Sequence, residues 1–427
     1  MDLSAAVRFD HQLLAVEHEH TVHCMLELTA PPAPVGQTRL PLHLVLVIDR
    51  SGSMAGAKLA TAIESAAYLA RRLSPTDELA IVTYDDEVRL NVPLAPVGTT
   101  AAQLEVALRG IYPGGMTNLS GGWLKGLEQL RGVPGGTGPK KILVLSDGLA
   151  NRGITEPGVL VQMAHGASDD GVGTTTIGFG DGFDEDLMTG MADAGAGNAY
   201  FAATPEEAPG IFADEFDGLA SIVAQNLSIE LRPSDDVKML GLLNDHPGNA
   251  VPGGVQIQLG DVYAEEHRRL VFEMFVPRLE ELGVATVARV VLRYVSVGVE
   301  IAAHELTLPI TVNLVSANEA AAAQADNEVT EEVVILKAAR AQEEARSRAE
   351  QGDIDGARTL LRQTAESLRK VAPSSKRASE LEEQAAEMEE HEQRIQSLGL
   401  MDPMTSKSMR YESRGRQRKR RPDPPKG

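Results

Sequence analysis

Between residues 40 and 222, short apolar runs alternate with longer amphipathic stretches, and no other feature of the chain constrains its fold as strongly. Runs such as His43 to Ile48, Leu79 to Tyr84, Lys141 to Leu145 and Thr174 to Phe179 are apolar on both faces. A strand of that kind needs cover above and below. The expectation is an α/β domain, a doubly wound and mainly parallel sheet with helices on both sides. Val88 to Val92 and Ala199 to Ala202 complete the strands, and Asp85-Asp86-Glu87 reads as the turn of one antiparallel hairpin. The stretches Ala55 to Leu73, Leu119 to Leu130 and Pro157 to Ser168 read as helices between strands, the last with proline in its first turn.

Residues 6 to 29 and 225 to 315 have another texture. Polar and apolar residues alternate there, as in Val255-Gln256-Ile257-Gln258-Leu259, which is the period of a half-buried strand. The expected division is 1–39 for the first strands of a β-sandwich, 40–222 for an α/β domain inserted after them, and 223–316 for the rest of the sandwich. Residues 317–399, rich in Ala, Glu, Arg and Gln, read as a helical hairpin or bundle, and 400–427 as a disordered basic tail. Ala345, Ala349, Gly352-Asp353, Ala357 and Leu361 resemble one tetratricopeptide-type helix pair. One pair cannot build a solenoid, so an amphipathic hairpin packed on the sandwich is expected.

Lys and Arg number 40 and Asp and Glu 61, a formal charge of −21 that repels nucleic acid and anionic membrane over most of the surface. From Lys407 onward nine Lys and Arg face only Glu412 and Asp423, a net of +7 that leaves −28 for the body. Nucleic-acid contact is therefore expected, if anywhere, through the basic tail 407–421; an acidic protein surface, including the chain's own, suits that tail better. The single Cys24, the lack of a basic and apolar leader in the first 24 residues, and no apolar run near the roughly 20 residues that span a bilayer point to a cytoplasmic protein.

The chemistry gathers at strand ends. His43 to Ile48 runs into Asp49-Arg50-Ser51-Gly52-Ser53, Lys141 to Leu145 runs into Ser146-Asp147-Gly148, and the loop Gly114 to Asn118 carries Thr117. In a doubly wound sheet the carboxyl ends of the strands are where ligands bind. Asp49 and Asp147 brought together repel unless a cation lies between them. Oxygen donors with no His or Cys suit a hard ion, Mg2+ or Mn2+ ahead of Ca2+ and Zn2+.

Asp49-x-Ser51-x-Ser53, a later Thr117 and a later Asp147-Gly148 resemble the metal-ion-dependent adhesion site (MIDAS) of von Willebrand factor A (vWA) domains. Thr176 to Gly180, Asp184 to Met188 and Gly197 to Tyr200 are similar to the last part of bacterial vWA domains. The resemblance implies that Ser51, Ser53 and Thr117 touch the metal, that Asp49 and Asp147 hold it largely through water, and that a Glu or Asp of a protein partner fills the remaining position. It implies binding rather than turnover: an intracellular scaffold or adaptor, or alternatively an adaptor of an AAA+ ATPase of the MoxR type.

Two other readings compete for the same residues. Asp49 and Ser51 could merely cap a helix while Asp147 opens a turn. In a metal-dependent hydrolase Asp49 would be the nucleophile, but Ser51 stands where such sites carry a second Asp. Phosphate-loop and Gly-x-Ser-x-Gly motifs do not occur. His18, His20, His23 and Cys24 could be imagined around a soft metal, but solvated strand histidines are the expectation, since His23 and Cys24 do not share one face.

Overall fold

A computed structural model describes residues 3–33, 40–135, 138–297 and 302–418. The chain opens with β1 (Ser4–Phe9), β2 (Leu13–Ala15) and β3 (His20–Thr29), then enters the α/β domain. There β4 (His43–Asp49), α1 (Ala57–Arg72), β5 (Glu78–Tyr84), β6 (Val88–Pro96), α2 (Val97–Arg109), α3 (Leu119–Arg131) and β7 (Lys140–Ser146) follow in order. The domain closes with α4 (Pro157–Asp169), β8 (Val172–Phe179), α5 (Glu185–Ala194), β9 (Ala199–Ala202) and α6 (Ala208–Ala220). Its sheet runs β6-β5-β4-β7-β8-β9, parallel except for β6. This is the doubly wound, mainly parallel architecture expected from the apolar runs.

Every residue of β4 is buried, and its side chains divide by parity between two cores. Leu44, Leu46 and Ile48 join α1, α2 and α6 on one face, whereas Val45 and Val47 join α3, α4 and α5 on the other. Helix α3 lies close to the sheet where its inner face carries Gly122 and Gly126. A Cβ on Gly122 would stand 2.5 Å from Tyr84 Cδ1, and one on Gly126 2.9 Å from Val47 Cγ2. Gly122→Val should therefore lower stability by about 1–3 kcal/mol through overpacking, read as a lower urea midpoint. An unchanged midpoint would mean that α3 can lift off the sheet freely.

Beyond the α/β domain come β10 (Ile222–Pro233), β11 (Lys238–Leu242), β12 (Gly248–Val251), β13 (Gly254–Tyr263), β14 (His267–Val276), β15 (Gly283–Ser296) and β16 (Ala302–Val315). They form two sheets with the opening strands, β1-β3-β14-β11 and β12-β13-β10-β15-β16-β2, and enclose one apolar core. A buried ion pair between Lys141 at the start of β7 and Asp261 of β13 joins the two domains.

Helices α7 (Ala317–Ala322), α8 (Asn327–Glu350), α9 (Ile354–Val371), α10 (Ala378–Leu398) and α11 (Pro403–Gln417) follow. Helix α8 lays Val329, Val333 and Leu336 on Met25 and Val271, the outward face of β3 and β14. Among the described residues no helix is long and apolar enough to cross a membrane.

The expectation of disorder over 400–427 is corrected for its first part. Residues 403–417 are helical, capped by the Asp402 side chain on the Thr405 amide, and packed against α5, α8, α10 and β9. Lys407 donates to the Phe183 carbonyl at 2.8 Å, Arg410 pairs with Asp186 at 2.5 Å, and Arg414 and Arg418 both bind Asp193. Arg416 pairs with Glu387 of α10 at 2.5 Å. Tyr411 stacks on Phe201 with ring centroids 5.4 Å apart, and Met409 is fully buried. The segment has little apolar periodicity of its own because much of its hold is by charge, and those partners lie on α5, on α10 and in the loop of Asp245. The remainder of the tail, 419–427, lies outside the described residues.

Candidate metal centre

Asp49 ends β4 and Ser146-Asp147 ends β7, neighbours in the sheet, so both carboxylates face the crevice where the chain leaves the sheet in opposite directions. Asp49 is fully buried. One of its oxygens accepts from the Ser51 amide at 2.8 Å and the other from Ser146 Oγ at 2.7 Å. Burial drives its pKa above the ordinary carboxylate range, the two hydrogen bonds oppose that rise, and the charge of Asp147 adds to it.

Ser51 and Ser53 lie on the turn between β4 and α1, with hydroxyls 3.2 Å apart, and Ser53 Oγ donates to Asp147 Oδ1 at 2.7 Å. Thr117 sits just before α3, whose Asn118 side chain caps the Gly121 amide. A Cβ on Gly148 would meet Thr117 Oγ1 at 3.3 Å and Ser53 Oγ at 3.5 Å, so a glycine following Asp147 keeps the space between the three loops open. Thr117 is 4 % exposed, and its hydroxyl takes part in no hydrogen bond among the described residues. The structure thus gathers Asp49, Ser51, Ser53, Thr117 and Asp147 at one edge of the sheet.

Four residues, Arg50, Asp85, Ser146 and Lys58, support the site in roles that the sequence reading did not assign. Arg50, between Asp49 and Ser51, points away from them and pairs with Asp85 at 2.6 Å, both nearly buried. Asp85 also accepts from the Gly115 amide, and Gly52 N donates to the Gly115 carbonyl at 3.0 Å, so the loop of Thr117 is fastened to the loop of Ser51. Ser146 orients Asp49. Lys58, in the first turn of α1, places Nζ 2.5 Å from Asp147 Oδ2.

Two carboxylates and three hydroxyls are a donor set that could hold a hard divalent cation. Among the described residues no three or more His, Cys, Asp and Glu side chains cluster for a softer one. The histidines of β3 and its approach are engaged elsewhere: His23 Nδ1 meets Asp10 at 2.6 Å and His20 Nε2 the Ala15 carbonyl at 2.8 Å. Burial pushes the Cys24 thiol up to about 12, which leaves it protonated.

Residues 43–214 match the family model of the von Willebrand factor type A domain. This segment has the von Willebrand factor type A fold. An uncharacterised protein of Synechocystis sp. is 25% identical to the chain, with 77% of this chain and 79% of that one aligned. In fold, the von Willebrand factor type A protein of Catenulispora acidiphila covers 96% of both chains with a TM-score of 0.73 at 14% identity. The ArnB paralog VWA2 of Sulfolobus acidocaldarius covers 98% of both at 0.61 and 19%. The sandwich and helices around the vWA domain are thus shared with proteins of very different sequence.

Proposed function

We propose that the vWA domain of this chain is a divalent-cation-dependent protein-interaction site of the MIDAS type, and that the protein acts as a scaffold or adaptor. One observation carries the reading: two buried carboxylates and the unspent hydroxyl of Thr117 converge at the sheet edge, where charge is left for a cation to balance. Ser51, Ser53 and Thr117 would hold Mg2+ or Mn2+ directly, with Asp49 and Asp147 supplying the charge. An ion ligated mainly by hydroxyls stays electrophilic and draws a carboxylate from a partner protein.

The surroundings suit a protein partner. Tyr112 and Met116, on the loop of Thr117, are 70% and 46% exposed, and Leu149, beside Asp147-Gly148, is 58% exposed. Large apolar side chains left in water around a polar centre are a common mark of an interaction surface. Asp49 is poorly placed as the nucleophile of a hydrolase, because it has no exposure and both oxygens already accept hydrogen bonds.

Affinity capture with the full chain tests the proposal. Proteins retained in Mg2+ should be lost both in chelator and with Asp49→Ala, and Leu149→Asp should weaken capture with ion binding intact. An AAA+ ATPase among those proteins would make the chain that ATPase's adaptor. Partners that stay bound in chelator and with Asp49→Ala would overturn the reading.

A further inference from the structure

Lys58 stands where helix electrostatics disfavour it. It is the second residue of the sixteen-residue helix α1, at the positive end of the helix dipole. Its side chain is about one-third exposed, yet its ammonium reaches inward to the fully buried carboxylate of Asp147 at 2.5 Å. Its outer end is walled by the loop after β8, since a Cβ on Gly180 would lie 3.4 Å from Lys58 Cε and 3.5 Å from Nζ. The other cation of the site, Arg50, is bound to Asp85 and turned from the crevice. Two buried carboxylates, Asp49 and Asp147, therefore share one nearby ammonium.

We propose that Lys58 is the resident counter-cation of this centre: its ammonium holds Asp147 in the ion-free protein, and a divalent ion must displace it to gain that carboxylate. The inference rests on the metal reading above and adds the residue that sets how tightly the ion is held. A lysine suits this exchange because its charge is compact and its stem flexible, so the ammonium can withdraw to solvent without disturbing α1. The site stays half-neutralised and folded without metal, at the cost of a weakened hold on the ion.

Isothermal titration with Mn2+ alone, alongside thermal melts of the full chain, tests this. Lys58→Met, and Lys58→Gln as a second neutral variant, should bind Mn2+ about tenfold tighter or more, well short of the full repulsion by a fixed unit charge a few ångströms away near a protein surface because the ammonium can move off. Both should melt lower than wild type without ion and show a larger Mn2+-induced rise. Lys58→Arg, which keeps the charge, should retain the wild-type affinity. Neutral variants that bind Mn2+ no tighter than a binding wild type overturn the role of Lys58 and leave the metal reading standing. Failure of wild type and neutral variants alike to bind Mn2+ overturns both.

Discussion

Asp49→Ala should erase the rise in melting temperature that Mg2+ or Mn2+ confers on the wild-type protein. A ligand that binds only the folded state at a hundred times its Kd adds about 2.7 kcal/mol, a rise of roughly 5–10 °C for a domain of vWA size. In the variant one of the two buried charges is gone, and the rise should vanish. The ion-free protein should change less. The Ser51 amide and Ser146 hydroxyl lose their acceptor, a loss of about 1–3 kcal/mol, while the repulsion from Asp147 is relieved.

The pH dependence separates these contributions. Because the folded-state pKa of Asp49 is raised, its contribution without ion is present below the ordinary carboxylate pKa and lost as pH rises through the raised value. Ion binding needs the charged form, so the Mg2+-induced rise should grow over the same interval. A variant still stabilised by Mg2+ would place the ion elsewhere.

Reversing Arg414 and Arg418 together should be the most damaging change outside the site. Both guanidiniums bind Asp193 of α5, and both reach Asp245 at 3.3 and 3.4 Å. Burial alone would raise the pKa of Asp193, but Arg418 and Arg414 outweigh it and hold the carboxyl below its ordinary range. Removing one partner of a fully buried pair costs 3–5 kcal/mol; this pair is partly exposed, so Arg414→Glu with Arg418→Glu should cost about 2–4 kcal/mol.

The readout is built in. Trp123 is the only tryptophan, fully buried in the vWA core with its indole N–H on Thr174 Oγ1 at 3.1 Å. Its fluorescence reports unfolding of that domain, and its urea midpoint should fall. With a depressed folded pKa, the contribution of Asp193 is present above the ordinary carboxylate pKa and lost as pH falls through the depressed one. The gap between variant and wild type should therefore close in acid. An unmoved midpoint would reduce α11 to a surface appendage.

The sheet and the five site positions were legible because each leaves a local trace. Apolar runs such as Leu44 to Ile48 belong to covered strands, and the hydroxyls and carboxylates follow them within a few residues. Lys58 left a fainter trace, a cation in the first turn of a helix, where it opposes the dipole. Arg50 left none, since nothing local says that it turns toward Asp85. Helix α11 was missed because its stabilising partners Glu185, Asp186 and Asp193 lie more than 200 residues earlier, and periodicity records only what a segment does alone. The described part of the basic tail, residues 407–418, lies against Asp186, Asp193, Asp245 and Glu387 of its own chain.

The interrupted sandwich has a consequence for how the protein is made. Thr29 of β3 meets His267 of β14 across 238 residues, and the whole vWA domain lies in that interval. Strand β3, apolar over Cys24 to Leu26 and paired with β1 on one side, has to persist with its other edge open until β14 exists. The vWA domain, whose sheet draws on the contiguous residues from β4 to β9 alone, is able to complete itself first and bring the two ends of the loop together. A variant that slows vWA folding would then prolong the life of that open edge, and would surface as aggregation before any loss of binding.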